Sequence, residues 1–409
     1  MMTLVLENGI GQTLTLDSIF KAIDNNQPEL KMFNAKIKAY DTYATGAKSL
    51  EPPQIGAGFF MTPYNTQMWK PDAMSGSRGM GAFMLSAQQM FSNPGKLNAN
   101  AAYMQSMSNV EKEMQNAARN ELYSMAKMSY YEWLVLKKKL QMFNESESLL
   151  DYIIKSTELR YTYGMDKLNG YYKAKAMLGD IQKMKLTTEL EIKQQRISLN
   201  TVMNRNKDYV FDIDTIYILK NYESDITDTA LISSSRSDYK AFNQNINLLK
   251  SKQLYEQSKR LPDFGFKYDH MFALGTQPQQ FSLMAMFTIP IVPWSSRMYK
   301  SSVEGLNFEI ESMKNQQETL MNQTTGNLQD LKEQIKSKKQ QLELYEKTII
   351  PSMKKNYQTT LLAYEQNMED LFMVLDAWQN LKLIQIGYFD QLKELLLMQV
   401  QYEQQLEIK

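Results

Sequence analysis

YEQNMEDLFMVLDA, residues 364–377, sits in a run where apolar side chains recur at Met353, Tyr357, Leu361, Tyr364, Met368, Leu371, Leu375 and Trp378. The spacings are 4, 4, 3, 4, 3, 4 and 3. That is a heptad-like seam, and it predicts helix packed lengthwise against other helices. Alone, the seam reads as plain coiled-coil core. A second copy gives it more weight: YTYGMDKLNGYYKA, residues 161–174, aligns with it without a gap at an offset of 203. This register pairs Tyr161 with Tyr364, Asp166 with Glu369, Leu168 with Leu371, Ala174 with Ala377 and Leu178 with Leu381.

Further out, the duplication widens. Lys31, Phe33, Asn34, Ile37, Ser49, Pro53 and Gly56 recur as Lys240, Phe242, Asn243, Ile246, Ser258, Pro262 and Gly265, all at an offset of 209. Seven ordered identities in 26 positions mark an internal repeat. The chain is therefore divided into a first repeat, 1–205, a joining segment, 206–235, with weak periodicity, and a second repeat, 236–409. In the first repeat a helix is expected from Thr15 to about Ala47, capped by Asp17 or Ser18 and broken at Pro28. Strands are expected at 54–63 and 80–90, with a turn-rich loop between them. Long helices at 97–143 and 146–205 follow, turning at 141–150. The second repeat gives strands at 264–274 and 280–290, then helices at 298–350 and 352–407 turning at 347–354, where Pro351 should stop the first. From Val303 through Leu306, Ile310, Leu328, Ile335 and Leu342 the helix has one apolar face, and Lys, Glu, Gln and Asn fill the other. One face packs and the other stays wet.

The strands carry a different period. Phe264, Phe266, Tyr268, His270 and Phe272 alternate with Gly265, Lys267, Asp269 and Met271; Phe281, Leu283, Ala285 and Phe287 alternate with Ser282, Met284 and Met286. Alternation suits a membrane barrel wall with lipid outside and water inside. A soluble sheet covered on one face would show it too. Four strands cannot close a spanning barrel, so other subunits would have to pair the edges.

Composition narrows the function. Formal net charge is +1 with no long run of one sign, which argues against a nucleic-acid or acidic partner. The absence of cysteine removes disulfides, thiolate metal sites, cysteine nucleophiles and a lipidated N-terminal Cys from the sequence as it stands. One histidine, His270, cannot build a His-rich metal site. No apolar run reaches 18 residues, and the start MMTLVLENGIGQ has no secretory h-region, as for a mature, trimmed or cytosolic chain. No P-loop, GxSxG or HExxH occurs, and GMGAF at Gly79 lacks a strand–helix setting. An enzyme is not expected, nor a cofactor. Methionine is abundant, at 29 in 409 residues, so thirty positions would hold about two; Met61, Met68, Met74, Met80, Met84 and Met90 place six in that span. Thioether sulfur favours Cu(I), which makes this cluster a candidate metal site. Flexible apolar filler is the plainer reading.

Together, the repeat, the Pro52-Pro53 and Leu261-Pro262-Asp263-Phe264-Gly265 approaches to strands, PIVPWSSR at 290–297 and Tyr364…Val374-Leu375-Asp376-Ala377 resemble the TolC family of outer-membrane efflux proteins. The resemblance runs from about Leu14 to Glu407 and rests on order and spacing rather than on any single motif. It implies a mainly α fold with a β-barrel part: a homotrimer pooling four strands per chain in a 12-stranded barrel, and long helical hairpins forming a periplasmic tunnel. It implies the outer membrane of a Gram-negative bacterium, contact with its lipid, and work with a periplasmic adaptor and an inner-membrane pump. The cargo would be drugs or metal ions such as copper or silver. A type I protein-secretion duct and a soluble coiled-coil protein are the alternatives. The resemblance also implies a pore gate at Asp376, Met373 and Glu369. Here the family's second aspartate is replaced by Met373, its locking arginine by Glu369 and its glycine by Asn367, whereas Gly164 is kept. Asn144, Ser146 and Pro351, in the expected turns, would form the tip that docks the adaptor.

Overall fold

The computed structural model describes residues 13–222, 228–290 and 292–408; the start at 1–12, part of the joining segment and Ile291 of PIVPWSSR lie outside them. In chain order the elements are β1 (Thr13–Leu14), α1 (Leu16–Asn26), α2 (Pro28–Gly46), β2 (Gln54–Phe60), a 3-10 turn (Thr66–Trp69), β3 (Ala82–Phe91), α3 (Pro94–Thr162) and α4 (Leu168–Val202). Then come β4 (Asp212–Ile213), α5 (Thr229–Ser235), α6 (Ser237–Ser258), β5 (Asp263–Ala273), β6 (Gln280–Thr288), α7 (Pro293–Leu344), a π turn (Tyr345–Ile349), α8 (Ile350–Glu365) and α9 (Leu371–Leu406). Helix, two strands, then long helices on either side of a turn occur twice. Among the described residues no helix is long and apolar enough to cross a membrane.

Local chemistry accounts for most boundaries. Pro28 does break the first helix: Gln27 is extended and Pro28 opens α2. The N-cap of α1 is Thr15 rather than Asp17 or Ser18, because Thr15 is the residue with extended backbone, and its hydroxyl accepts from Ser18 N at 3.4 Å. All four long strands lie where the sequence placed them, with ends that differ by at most three residues.

Two expected boundaries are absent. Asn144 and Ser146 lie inside α3, a single helix of 69 residues. Asn144 is exposed, so its amide stays solvated and costs the helix little beyond its weak propensity; Ser146 is buried against Met142. Pro351 does not end its helix either. It has no N–H to give and its ring crowds the carbonyl four residues back, so the preceding turn widens and Ile350 N–H reaches Tyr345 O. The π turn absorbs the proline, and the chain continues as helix to Glu365.

The chain forms two compact units, each containing parts of both repeats. One holds residues 33–114 and 240–318, including a sheet in the order β2-β3-β5-β6, antiparallel throughout. The pair β3–β5 joins the first repeat to the second, Phe83 opposite Phe272 and Phe91 opposite Phe264. Cross-strand partners share a face. One face therefore carries Phe59, Phe83, Leu85, Phe266, Tyr268 and Leu283, with His270 among them; Phe83 is half-buried, and most of the face's other large apolar side chains stand open, from Phe272 at 38% to Ile55 at 82% exposure. The reverse face carries Ser86, Gln88, Lys267, Asp269 and Ser282. The edges β2 and β6 have no further partner strand among the described residues.

The other unit holds 115–239, 319–409 and the N-terminal stretch to 32. Here β1 and β4 pair in parallel, and two cores form. One gathers Ile19, Leu134, Leu199, Ile213, Leu395 and Tyr402. The second gathers Leu150, Ile181, Tyr364, Val374, Leu375 and Trp378 around the ends of α3, α4, α8 and α9.

Candidate functional site

The turns that join α3 to α4 and α8 to α9 have one construction. Gly164 (φ 72°) and Asn367 (φ 58°) both take the left-handed conformation just past a helix end. Gly164 N donates to Tyr161 O at 2.9 Å and Met165 N to Arg160 O at 2.8 Å; Asn367 N donates to Tyr364 O at 3.0 Å and Met368 N to Ala363 O at 2.8 Å. This is a Schellman cap made twice, 203 residues apart. It explains the residue change: after glycine, asparagine is the side chain that best tolerates that conformation. Asp370 then restarts the second helix, its carboxylate accepting from Phe372 N at 3.0 Å. Gly164→Val should therefore cost about 1–2 kcal/mol, and Gly164→Asn, the residue the second turn uses, clearly less. Urea midpoints of the two variants against the parent check this ordering.

The turns sit together. Arg160 Nε donates to Asp166 Oδ2 at 2.8 Å and Nη2 to Asn367 Oδ1 at 2.5 Å. The guanidinium lies 4.5 Å from the centre of the Tyr364 ring, and the Tyr364 hydroxyl donates to Asp166 Oδ2 at 2.5 Å. Burial, with the Asp166 hydrogen bond, pushes that hydroxyl up to about 12, so it remains a donor at neutral pH. Gly170 permits close approach, since a Cβ there would meet Leu371 Cδ2 at 2.7 Å. The fastening is unequal between repeats: Arg160 has Ala363 as its counterpart and Asp166 has Glu369.

Of the residues singled out in the sequence, Glu369 is exposed within the second turn, and Met373 and Asp376 are exposed three residues apart on α9. They share a face with Asn380, whose Nδ2 donates to Asp376 Oδ2 at 3.1 Å, while Val374, Leu375 and Trp378 face the core. Asn144, Ser146 and Pro351 lie in helix, away from either turn in sequence. Arg160 escaped the sequence reading because nothing in the repeat register marks it. Of the six methionines in the 61–90 cluster, Met61, Met68, Met74 and Met80 are exposed outside the strands; Met84 and Met90 lie in β3.

A family model described as outer membrane efflux protein matches residues 20–205. Among solved structures, the chain is similar to the outer membrane protein VceC from the bacterial pathogen Vibrio cholerae, at 15% identity and a TM-score of 0.75 over 96% of this chain and 95% of that one. It is similar to the CmeC outer membrane channel of Campylobacter jejuni at 13% identity and 0.72, over 99% and 90%. It is also similar to the open state of the MtrE outer membrane channel of Neisseria gonorrhoeae at 11% identity and 0.70, over 96% and 88%. Identities this low speak for fold, which is shared nearly end to end. No curated protein matches the chain in sequence.

Proposed function

We propose that this chain is an outer membrane efflux protein, on the family match over its first repeat and the fold shared over nearly its whole length, and that it works as a homotrimeric duct in the outer membrane of a Gram-negative bacterium. It serves there as the exit of a tripartite pump, reached through a periplasmic adaptor from an inner-membrane transporter. It conducts and does not catalyse. The observation that carries this reading is the four-stranded sheet with one aromatic, open face and two unpaired edges. In lipid, each unpaired backbone group costs several kcal/mol, so only closure removes the penalty. Three copies supply twelve strands, enough for a barrel with a water-filled interior. The repeats, 1–205 and 236–409, each contribute two strands and one pair of long helices, with 206–235 between them. Mass in detergent together with conductance in a planar bilayer tests this; a monomer without conductance would sink it.

The two Schellman turns form the periplasmic end and dock the adaptor, in place of 141–150 and 347–354. The pore gate lies beside them, where Met373 and Asp376 stand exposed on the first turns of α9. Threefold symmetry brings three copies of Asp376 around the axis, a ring that attracts cations. Divalent or trivalent cations added on the periplasmic side should block the parent channel, and Asp376→Asn should weaken that block about tenfold. Equal block in both would place Asp376 away from the pore.

A further inference from the structure

The four strands of the sheet contain five methionines, Met84, Met90, Met271, Met284 and Met286, and all five lie on the face opposite the aromatic one. The aromatic face has none. The methionine face in turn has no Leu, Ile or Val. Methionine used as flexible apolar filler would be shared between the faces, or would favour the lipid side. Here it is confined to the side that carries Ser86, Gln88, Lys267, Asp269 and Ser282. Some property of sulfur other than its apolarity accounts for that placement.

Strand pairing assembles these residues from distant parts of the chain. Met84 is directly opposite Met271. Met90 and Met286 both stand opposite Gly265, one from each neighbouring strand. Gly265 has no side chain to separate them, and Met90 Sδ occupies the space that a side chain there would fill. Next to Met271 along the same face of β5 is Asp269, 3% exposed. Its Oδ1 accepts no hydrogen bond, and the charged group beside it is Lys267 Nζ at 3.1 Å. The face thus offers two thioether pairs set together by strand register and a buried carboxylate whose charged neighbour is Lys267.

We propose that this face is a thioether wall that binds a soft monovalent cation, Cu(I) or Ag(I), inside the barrel. The inference rests on the duct reading, which makes this face the inner one. Neutral thioethers select soft monovalent ions over Na⁺, K⁺ or Mg²⁺. Asp269 supplies a negative charge beside the sulfurs once Lys267, its ion-pair partner and the more exposed of the two, turns to water. Several weak sites in series also suit passage, since an ion must leave each site as readily as it enters. His270 takes no part, because it lies on the aromatic face opposite Leu85 and Phe281.

Silver nitrate in chloride-free buffer is the probe, read as single-channel block and as Ag(I) bound to the purified protein at dialysis equilibrium. The key variant is Met84→Leu, Met90→Leu, Met271→Leu, Met286→Leu, which keeps side-chain volume. Its control, Met61→Leu, Met68→Leu, Met74→Leu, removes exposed sulfur outside the strands. Reversible block of the parent channel is expected, with the half-blocking concentration raised about tenfold or more in the fourfold variant and unchanged in the control. Equal silver binding by parent and fourfold variant, or none by either, overturns the proposal. A protein that fails to conduct before silver is added refutes the duct instead, and the dialysis comparison still reads the wall.

Discussion

Channels carrying Arg160→Ala should be markedly more open at rest than the parent. Arg160 reaches across both turns, donating to Asp166 at 2.8 Å and Asn367 at 2.5 Å and covering the Tyr364 ring. Its side chain is 19% exposed and that of Asp166 12%, so solvent screens the pair only partly. Truncation leaves the Asp166 carboxylate with the Tyr364 hydroxyl alone and removes the polar link to the second turn. A partly buried pair broken in this way costs about 2 kcal/mol, which is roughly a 30-fold shift in a two-state balance. If the closed duct depends on the turns being held together, open probability in bilayers should rise by that order in each chain. Tyr364→Phe should move it the same way by less, since the ring still packs. Glu365→Ala is the control: it is an exposed carboxylate at the end of α8 beside the same turn, and it should change nothing. An Arg160→Ala channel as closed as the parent would separate this network from gating.

Leu283→Lys should nearly abolish assembly in the membrane, whereas Ser282→Lys, one residue away, should not. Leu283 stands 66% exposed near the middle of β6, opposite Tyr268 on the aromatic face. A lysine facing lipid near the midplane costs about 2–4 kcal/mol in a membrane barrel, a loss of roughly 30-fold to several hundredfold in the folding equilibrium of each chain. Ser282 faces the other way, opposite Asp269, where a lysine meets water and a carboxylate. Folding yield into lipid vesicles, scored for both variants, distinguishes the faces. Equal yields would show that the aromatic face is covered by protein rather than lipid.

The strands were legible because a period of two is local: Phe264, Phe266 and Tyr268 declare their shared face with no knowledge of their partners. The helix turns were not, and the reason is physical. The seam keeps its 3-and-4 spacing straight through Tyr364, Met368 and Leu371, yet the backbone reverses between them and Met368 is 75% exposed. Periodicity cannot see a cap that preserves phase. The signal that was available is smaller: Gly164 or Asn367 where a left-handed residue is needed, and Asp370 at the next N-cap. Asn144 and Pro351 misled because one stays solvated on a continuous helix and the other is absorbed by a π turn. Asp376 and Met373 could be found by resemblance. Arg160 could not, since Asn367 lies far away in the chain, and alternation put Met271, Met284 and Met286 on one side of their strands without showing what pairing sets beside them.

The unequal fastening of the two turns bears on ancestry. A single repeat has two strands and one helical hairpin, so six separate copies could close the proposed twelve-stranded ring with sixfold symmetry. In such a ring every turn would be identical, and an arginine favouring one neighbour would be present in all six. Fusing two copies into one chain let them diverge: arginine at 160 against alanine at 363, glycine at 164 against asparagine at 367. The Arg160–Asn367 link runs from the first turn to the second, and Ala363 and Gly164 have no side-chain groups to return it. In the proposed trimer the duplication leaves the ring threefold rather than sixfold, and the lock occupies the difference.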